Sequence, residues 1–371
     1  MDFALPQRIV VFCLPGIGDA VLFTPALRML RRAFPNARIL AVTMFRGTYD
    51  ILLTNPHVDE VRHFDFFHAR LLEGLRYVWG LRREGFDLSI MPFPSNRREY
   101  NVVNWLVGRR WRAGHRYRHH NRRNLYFLNN IVVRENGSLH NVEENLRLVR
   151  AICERIGVPV PLIEAQPQTE LVLTAADEQA AEAWRRSEGI PTDVPWLGLH
   201  TYSSTFKNMH RKCWPKEKFV ELIRELSAAH PQMRFLVFSG PSDREVNAWI
   251  LQQVRERVHL VERPNLREAL VLLRRCRVFV SNDSGLMHLA AAVGVAVVAL
   301  FGPTDWRRLH PWTAQYVVVR RDLPCMPCFY YSRRPLQCRA GLDYACMREI
   351  EVRDVMGAVE RLLQPASVAT S

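Results

Sequence analysis

The chain lacks any long apolar run. In 371 residues nothing approaches the roughly 18 consecutive apolar residues of a membrane-crossing helix. The first hydrophobic run, residues 9–14, is too short for a signal peptide and leads directly into glycines. These absences exclude a spanning helix and predict a cytoplasmic protein. At the first glycine-rich turn there is no GxGxxG pattern and no P-loop lysine followed by Ser or Thr, so neither a nicotinamide nor an ATP reading is supported. No period of about 20–50 residues recurs, which removes the solenoids. Acidic residues are the scarcer sign, 37 against 51 Lys and Arg, for a formal net charge of +14. Such a surface attracts anionic partners, including an anionic membrane leaflet.

What is present is ordinary globular composition, 48% hydrophobic and 24% charged, over a length that favours two domains. The first half opens on RIVVFC, residues 8–13, a buried strand by its β-branched content. After LPGIG comes a helical run from Asp19 with a basic far face. A strand at 37–42, a helix at 45–53, a helix at 66–84 and a strand at 87–91 continue the alternation, followed by a helix near 140–156. The second half repeats it: strand 196–200, helix 216–229, strand 234–238, helix 243–256, strand 258–261, helix 265–274, strand 277–281, helix 284–293, strand 295–301 and a last helix at 350–363. Strands alternating with helices predict an α/β fold with parallel sheets covered on both faces. Ligands are then expected at the carboxyl ends of the strands, in a cleft between the two domains.

Three segments hold residues suited to chemistry. Asp19, after Gly16 and Gly18, reads equally as the cap of the following helix or as a general base toward an acceptor hydroxyl. Between 200 and 216 a hydroxyl-rich, cationic loop carries Thr201, Arg211 and Lys212, cations suited to the charge of a departing diphosphate, although an exposed basic loop would look the same. NDSGLMHLAAAVGVAVVALFGPTD, 282–305, holds a helix start where Ser284 and Gly285 can present N–H groups to phosphate. There Asp283 either caps the helix or binds a donor hydroxyl, and His288 is either a core histidine or a phosphate or sugar contact. Gly302, Pro303 and Thr304 form a second turn, predicted to supply a second anion site. In GPSDRE, 240–245, Asp243 or Glu245 either accepts from ribose hydroxyls or caps a helix.

The run from Gly108 to His120 holds five arginines and three histidines. It reads as a solvated basic face, as an arginine site for an anionic acceptor or membrane surface, or as a nucleic-acid patch with Trp111 and Tyr117 interleaved. The last is disfavoured because no zinc-finger, RNP or helix-turn-helix pattern accompanies it. Cys325, Cys328, Cys338 and Cys346 form a C-x2-C-x9-C-x7-C cluster. Four thiolates so spaced suit a structural zinc or iron ion; reduced, unliganded thiols and disulfides are the alternatives, and cytoplasmic reduction argues against the latter.

LPGIGDAVLFTPALRML at 14–30, RKCWPKEKFVEL at 211–222 and the 282–305 segment together resemble the ADP-heptose:lipopolysaccharide heptosyltransferases, glycosyltransferase family 9. The resemblance implies the GT-B architecture: two facing Rossmann-like domains, an acceptor-binding one at 1–185 and a nucleotide-sugar-binding one at 186–349. A C-terminal helix at about 350–365 would return across the first domain, before a loose tail at 366–371. It implies inverting transfer with no metal or other cofactor needed for catalysis. By position, Asp19 matches the family's base and Lys212 the cation at the donor phosphates. Asp283 matches the donor-sugar contact, Ser284, Gly285 and His288 the phosphate-binding helix start, and Thr201 the phosphate loop, while Asp243 or Glu245 approximates the ribose contact. Gly18, Arg109, Arg110, Arg112 and Arg116 are the expected acceptor contacts. The donor would be ADP-heptose or a related nucleotide sugar, and the acceptor an anionic glycan or lipid-linked molecule, chiefly the lipopolysaccharide inner core. Relatives that glycosylate proteins leave a protein acceptor as the alternative, and some of these carry an iron-binding cysteine finger that the cluster resembles in outline. A basic nucleic-acid-binding protein is the competing class; it would need neither Asp19 nor the helix-start anion site, and no specific nucleic acid is expected.

Overall fold

The computed structural model describes residues 5–119, 122–240, 242–262, 265–331 and 334–364. His120 and Asn121 of the basic run and the tail at 366–371 lie outside them. The chain divides into two compact units. One holds the residues up to Val172 with Tyr331; the other holds Leu173–Tyr330 and the chain from Arg334 onward.

The first unit runs β1 (Arg8–Cys13), α1 (Ile17–Ala33), β2 (Arg38–Thr43), α2 (Arg46–Leu52), β3 (Glu60–His63), α3 (Leu71–Glu84), β4 (Leu88–Ile90), α4 (Arg98–Val107), β5 (Trp111–Arg116), β6 (Ile131–Arg134) and α5 (Asn141–Ile156). Its six strands are all parallel, in the order β3-β2-β1-β4-β5-β6. The order reverses between β1 and β4, the point where such sheets open a crevice. α1 begins at Gly16 and continues through Pro25. Proline has no N–H for the carbonyl of Val21, and the Thr24 hydroxyl donates to that oxygen at 2.7 Å instead. The helix therefore stays intact and packs on α5.

The second unit runs α6 (Ala175–Ser187), β7 (Trp196–His200), α7 (Lys216–Ala229), β8 (Arg234–Phe238), α8 (Arg244–Val254), β9 (Val258–Val261), α9 (Leu266–Arg274), β10 (Val278–Asn282), α10 (Gly285–Ala292), β11 (Ala296–Phe301), α11 (Trp306–Leu309), β12 (Tyr316–Arg320), α12 (Ala345–Arg348) and α13 (Val352–Leu363). The order β12-β11-β10-β7-β8-β9, again all parallel, repeats the topology of the first unit. Its reversal lies between β7 and β10.

Two expectations about organisation need correction. The boundary lies after Val172 rather than near 185, because α6 packs on α9 through Asp177 with Arg267 at 3.0 Å and Glu182 with Arg275 at 2.9 Å. The last helix packs on α7, β10, β11 and β12 of the second unit. Val352, Val355, Ala358 and Val359 form one apolar face of α13 and join that unit's core with Trp214 and Phe219, which is where a strongly amphipathic helix finds its burial.

Candidate active site

β7 and β10 are neighbours in register, with Ser281 opposite His200, so their carboxyl ends bring two distant loops together. Asp283 follows β10. Its Oδ2 accepts from Lys212 Nζ at 2.7 Å and from the Thr304 hydroxyl at 2.8 Å. Both members of the ion pair are largely out of solvent. Burial alone would raise the Asp283 pKa, but Lys212, with His288 and Thr304, outweighs it and holds the carboxyl below its usual range. Lys212 is delivered by a short 3-10 segment, Phe206–Lys212. The following Trp214 fixes that segment, its backbone N–H donating to Asn282 Oδ1 at 2.8 Å and its indole N–H to the Ile350 carbonyl at 3.0 Å.

Ser284 caps α10, its hydroxyl accepting from Met287 N–H at 3.4 Å and lying 3.0 Å from His200 Nδ1. Gly285 opens the helix, so its backbone and that of Leu286 are at the positive end of the helix dipole. His288 is buried one turn on. Burial pushes its pKa down to about 4, with Asp283 opposing, and its Nδ1 has no hydrogen-bond partner among the described residues. Thr201 follows β7 and donates to Asn247 Oδ1 at 2.5 Å. Lys212, Asp283, Ser284, Gly285, His288 and Thr201 are thus gathered at one end of one sheet. That arrangement offers an ammonium, a helix N-terminus and a neutral imidazole to an anionic ligand.

The two ribose candidates separate. Asp243 is buried, its Oδ1 accepting from Gly240 N–H at 2.6 Å, and burial raises its pKa. It holds the β8–α8 turn. Glu245 is exposed in the first turn of α8. The turn at Gly302, Pro303 and Thr304, where a second anion site is expected, is packed against later parts of the chain. Pro303 O takes the N–H groups of Cys328 and Phe329, both at 2.9 Å, and a Cβ on Gly302 would lie 2.4 Å from Met347 Sδ. Through the Thr304 hydroxyl on Asp283, this turn also supports the first site.

Sequence reading overlooked His200, Asn247 and Glu262. His200 lies 3.0 Å from Ser284 Oγ and 3.9 Å from Asp243 Oδ2, and burial pushes it down to about 4. A histidine ending a strand at a switch point was the available signal. Glu262 follows β9, accepting from Ser239 Oγ at 3.3 Å and Arg244 Nε at 3.0 Å; only the pairing of β8 with β9 reveals it.

In the first unit Asp19 sits in the first turn of α1 at the carboxyl end of β1. Its Oδ2 accepts from Gly16 N–H at 3.2 Å. Glycine has no side chain to return a bond, so the cap is one-sided. Gly18 is buried beside it. The arginine run does not form one patch, because β5 passes through its middle. Arg109 and Arg110 precede the strand, on the sheet edge opposite Asp19, and Arg110 lies 4.0 Å over Trp111. Arg112 donates to Leu128 O at 3.0 Å and bridges backbone. Arg116, at the carboxyl end and 5.3 Å over the Tyr126 ring, is the one of the four on the edge that carries Asp19. A six-residue strand, about 20 Å long, separates the groups.

Cys325, Cys328, Cys338 and Cys346 line one cavity with Pro303, Leu342 and Tyr344. The backbone N–H groups of Tyr344, Leu342 and Ala340 hold Cys338 below the usual thiol range, while burial and the neighbouring thiols push Cys346 up to about 11. The four sulfurs are the donor set a tetrahedral thiolate site needs. Among the described residues, however, no group of three or more is drawn into metal-ligand geometry, and all four are free of disulfides. No helix among the described residues is long and apolar enough to cross a membrane.

Comparison with known proteins follows the same lines. The family model described as glycosyltransferase family 9 (heptosyltransferase) matches residues 80–338. Lipooligosaccharide heptosyltransferase 2 of Campylobacter jejuni is 28% identical over 160 residues, 42% of this chain and 48% of that protein, so the chain spans about half of that relative. Lipooligosaccharide heptosyltransferase 2 of Haemophilus influenzae is 26% identical over 82% of this chain and 86% of its own length. The structure of ADP-heptose lps heptosyltransferase II of Escherichia coli superposes with a TM-score of 0.71 at 20% identity, covering 96% of this chain and 98% of that one.

Proposed function

The chain belongs to glycosyltransferase family 9, the heptosyltransferase family, and from that premise we propose that it transfers heptose from ADP-heptose to an anionic acceptor of the lipopolysaccharide inner core, inverting the anomeric centre. One observation carries the donor side of this reading: Lys212, Asp283 and the start of α10 converge at the carboxyl ends of the paired strands β7 and β10. The diphosphate rests on the N–H groups at Ser284 and Gly285, with Lys212 neutralising the charge that develops as ADP leaves. Asp283 both orients Lys212 and accepts from a hydroxyl of the sugar. Glu245 receives the ribose. Asp19 removes the proton from the acceptor hydroxyl as its oxygen attacks the anomeric carbon, and Arg116 holds an acidic group of the acceptor. A single displacement needs no covalent enzyme intermediate, and the negative charge on the leaving diphosphate is met by Lys212 and the start of α10. The enzyme works in the cytoplasm, at the inner membrane face.

The cysteine cluster favours a second reading for the acceptor, a protein, since it departs from the simplest family pattern. Were a zinc or iron ion bound, the Cys325, Cys328, Cys338 and Cys346 thiolates would hold it, and its role would be structural, at the segment beside Pro303. Elemental analysis of the purified protein, before and after Cys338→Ser, tests that role.

Calorimetric titration with ADP-heptose, UDP-glucose and GDP-mannose tests the donor. Selective binding of ADP-heptose, lost in Lys212→Ala, supports the assignment. Tighter binding of another nucleotide sugar sinks the heptosyl claim and keeps the transferase; mass-spectrometric transfer to heptose-deficient core oligosaccharide against a protein substrate then decides the acceptor.

A further inference from the structure

Helix α3 turns its apolar residues the wrong way for a helix whose only role is to cover a sheet. Val78 and Leu81 are its buried residues, and Tyr77 anchors it by stacking on Phe64 at 4.1 Å. Its outer face exposes Leu71 at 78%, Leu72 at 75%, Leu75 at 52% and Trp79 at 52%. Phe67, just before the helix, and Phe45 are exposed too, with ring centroids 6.1 Å apart. On α4, packed beside α3, Trp105 is exposed as well. Monomeric proteins seldom leave so many large apolar groups together in water without a use for them.

Arginine predominates around this surface. Arg70, Arg76, Arg82 and Arg83 of α3 and its cap are exposed, and Arg97 lies 5.3 Å over the Phe67 ring. Of the nearby acids, Glu84 binds Arg62 and Asp65 binds His68 at 2.7 Å, while the exposed Glu73 accepts from the Arg70 backbone N–H at 3.0 Å and keeps its charge. Among the described residues Arg70, Arg76 and Arg83 have no acidic partner. Leucines and a tryptophan flanked by unpaired arginines match a surface that is anionic outside and apolar beneath. A second copy of the chain is a poorer fit, because two-fold pairing would set these arginines against themselves.

We propose that the α3 face docks shallowly into an anionic phospholipid bilayer, with Leu71, Leu72, Leu75 and Trp79 at the boundary of headgroups and acyl chains and the arginines on lipid phosphates. The helix returns antiparallel to β3, so Leu71 and Leu72 lie at the carboxyl edge of the sheet. That edge also carries Asp19, whose charge is felt by Tyr100 beside Arg97. Docking therefore sets the Asp19 edge near the lipid surface. Its use in delivering a lipid-linked acceptor rests on the function proposed above; the membrane contact itself does not.

The test is flotation of the full chain with vesicles of phosphatidylcholine alone or of equal parts phosphatidylcholine and phosphatidylglycerol, for wild type, L71Q/L75Q and R76Q/R83Q. All four positions are exposed, so folding is spared, and thermal melts verify this. Wild type is expected to float with the anionic vesicles only, and each double variant to lose on the order of tenfold in partitioning. Absence of wild-type binding, or undiminished binding of L71Q/L75Q, overturns the proposal. So does a dimer in light scattering that L71Q/L75Q dissociates, since the face would then belong to a second copy. ADP titration of the same samples separates the two readings: retained nucleotide binding without flotation leaves the transferase standing and removes the docking face.

Discussion

Lys212 Nζ and Asp283 Oδ2 are 2.7 Å apart at the carboxyl edge of the second sheet, although 71 residues separate them in sequence. The pair is central to the proposed donor site, since the carboxylate also holds Thr304 and precedes the start of α10.

Removing one partner leaves the other charged and desolvated. Lys212→Ala or Asp283→Ala should each lower stability by about 3–5 kcal/mol, measured by urea denaturation. Lys212→Ala should further reduce kcat by about 100-fold or more through lost leaving-group stabilisation. An unaltered kcat would remove Lys212 from the chemistry and leave it a structural cation.

Asp19→Asn separates the cap from the base. The amide oxygen can still accept from Gly16 N–H, so stability should fall by less than about 1 kcal/mol. Transfer should slow by about 100- to 10,000-fold, while ADP affinity, set by groups of the second unit, stays as in wild type. Near-normal turnover would return Asp19 to a purely capping role.

Burial depresses four histidines, His115 to about 3, His200 and His288 to about 4, and His259 in the same direction. Between the unfolded value near 6.5 and these folded values, the unfolded chain binds protons that the folded chain refuses. Stability is therefore complete above about pH 6.5 and declines as pH falls toward 4, with a slope approaching 1.4 kcal/mol per pH unit for each histidine. Chemical denaturation at several pH values should show this slope, and His115→Gln should flatten it by one proton. A flat profile through that window would mean that the imidazoles are hydrated in solution.

Gly302→Ala places a methyl 2.4 Å from Met347 Sδ and 3.1 Å from Cys346 Sγ. The overpacking should cost about 1–3 kcal/mol and weaken ADP binding by moving Thr304 away from Asp283. Adding Met347→Ala should recover part of the binding loss; additive losses would show that Gly302 acts by another route.

The second unit was the more legible half. Its strands are short runs of buried Val, Leu and Phe between clear turns, and the strand read at 277–281 and helix read at 284–293 fall within a residue or so of β10 and α10. In the first unit β5 escaped notice because its residues, Trp111–Arg116, read as a basic patch. A central strand can carry arginine when the guanidinium leaves the sheet or, as at Arg112, spends its donors on carbonyls. β3 and β6, four residues each, were too short to show a period. Most of the residues proposed for the donor are legible because they follow strand ends, whereas the arginines proposed for the acceptor lie at both ends of β5 and within it, a strand their basic character hides.

The sequence by itself determined the alternation of strand and helix, the glycine-led turns and the identity of the groups that could meet a diphosphate, since these follow from local periodicity and backbone freedom. Only the tertiary structure decided which groups meet. The pairing of β7 with β10 brings Lys212 to Asp283, the packing of α12 on Gly302 holds the turn whose Thr304 donates to Asp283, and the course of β5 divides the arginines. Each of these is a contact between residues far apart in the chain, and such contacts are set by how apolar faces are buried together, which no local pattern encodes.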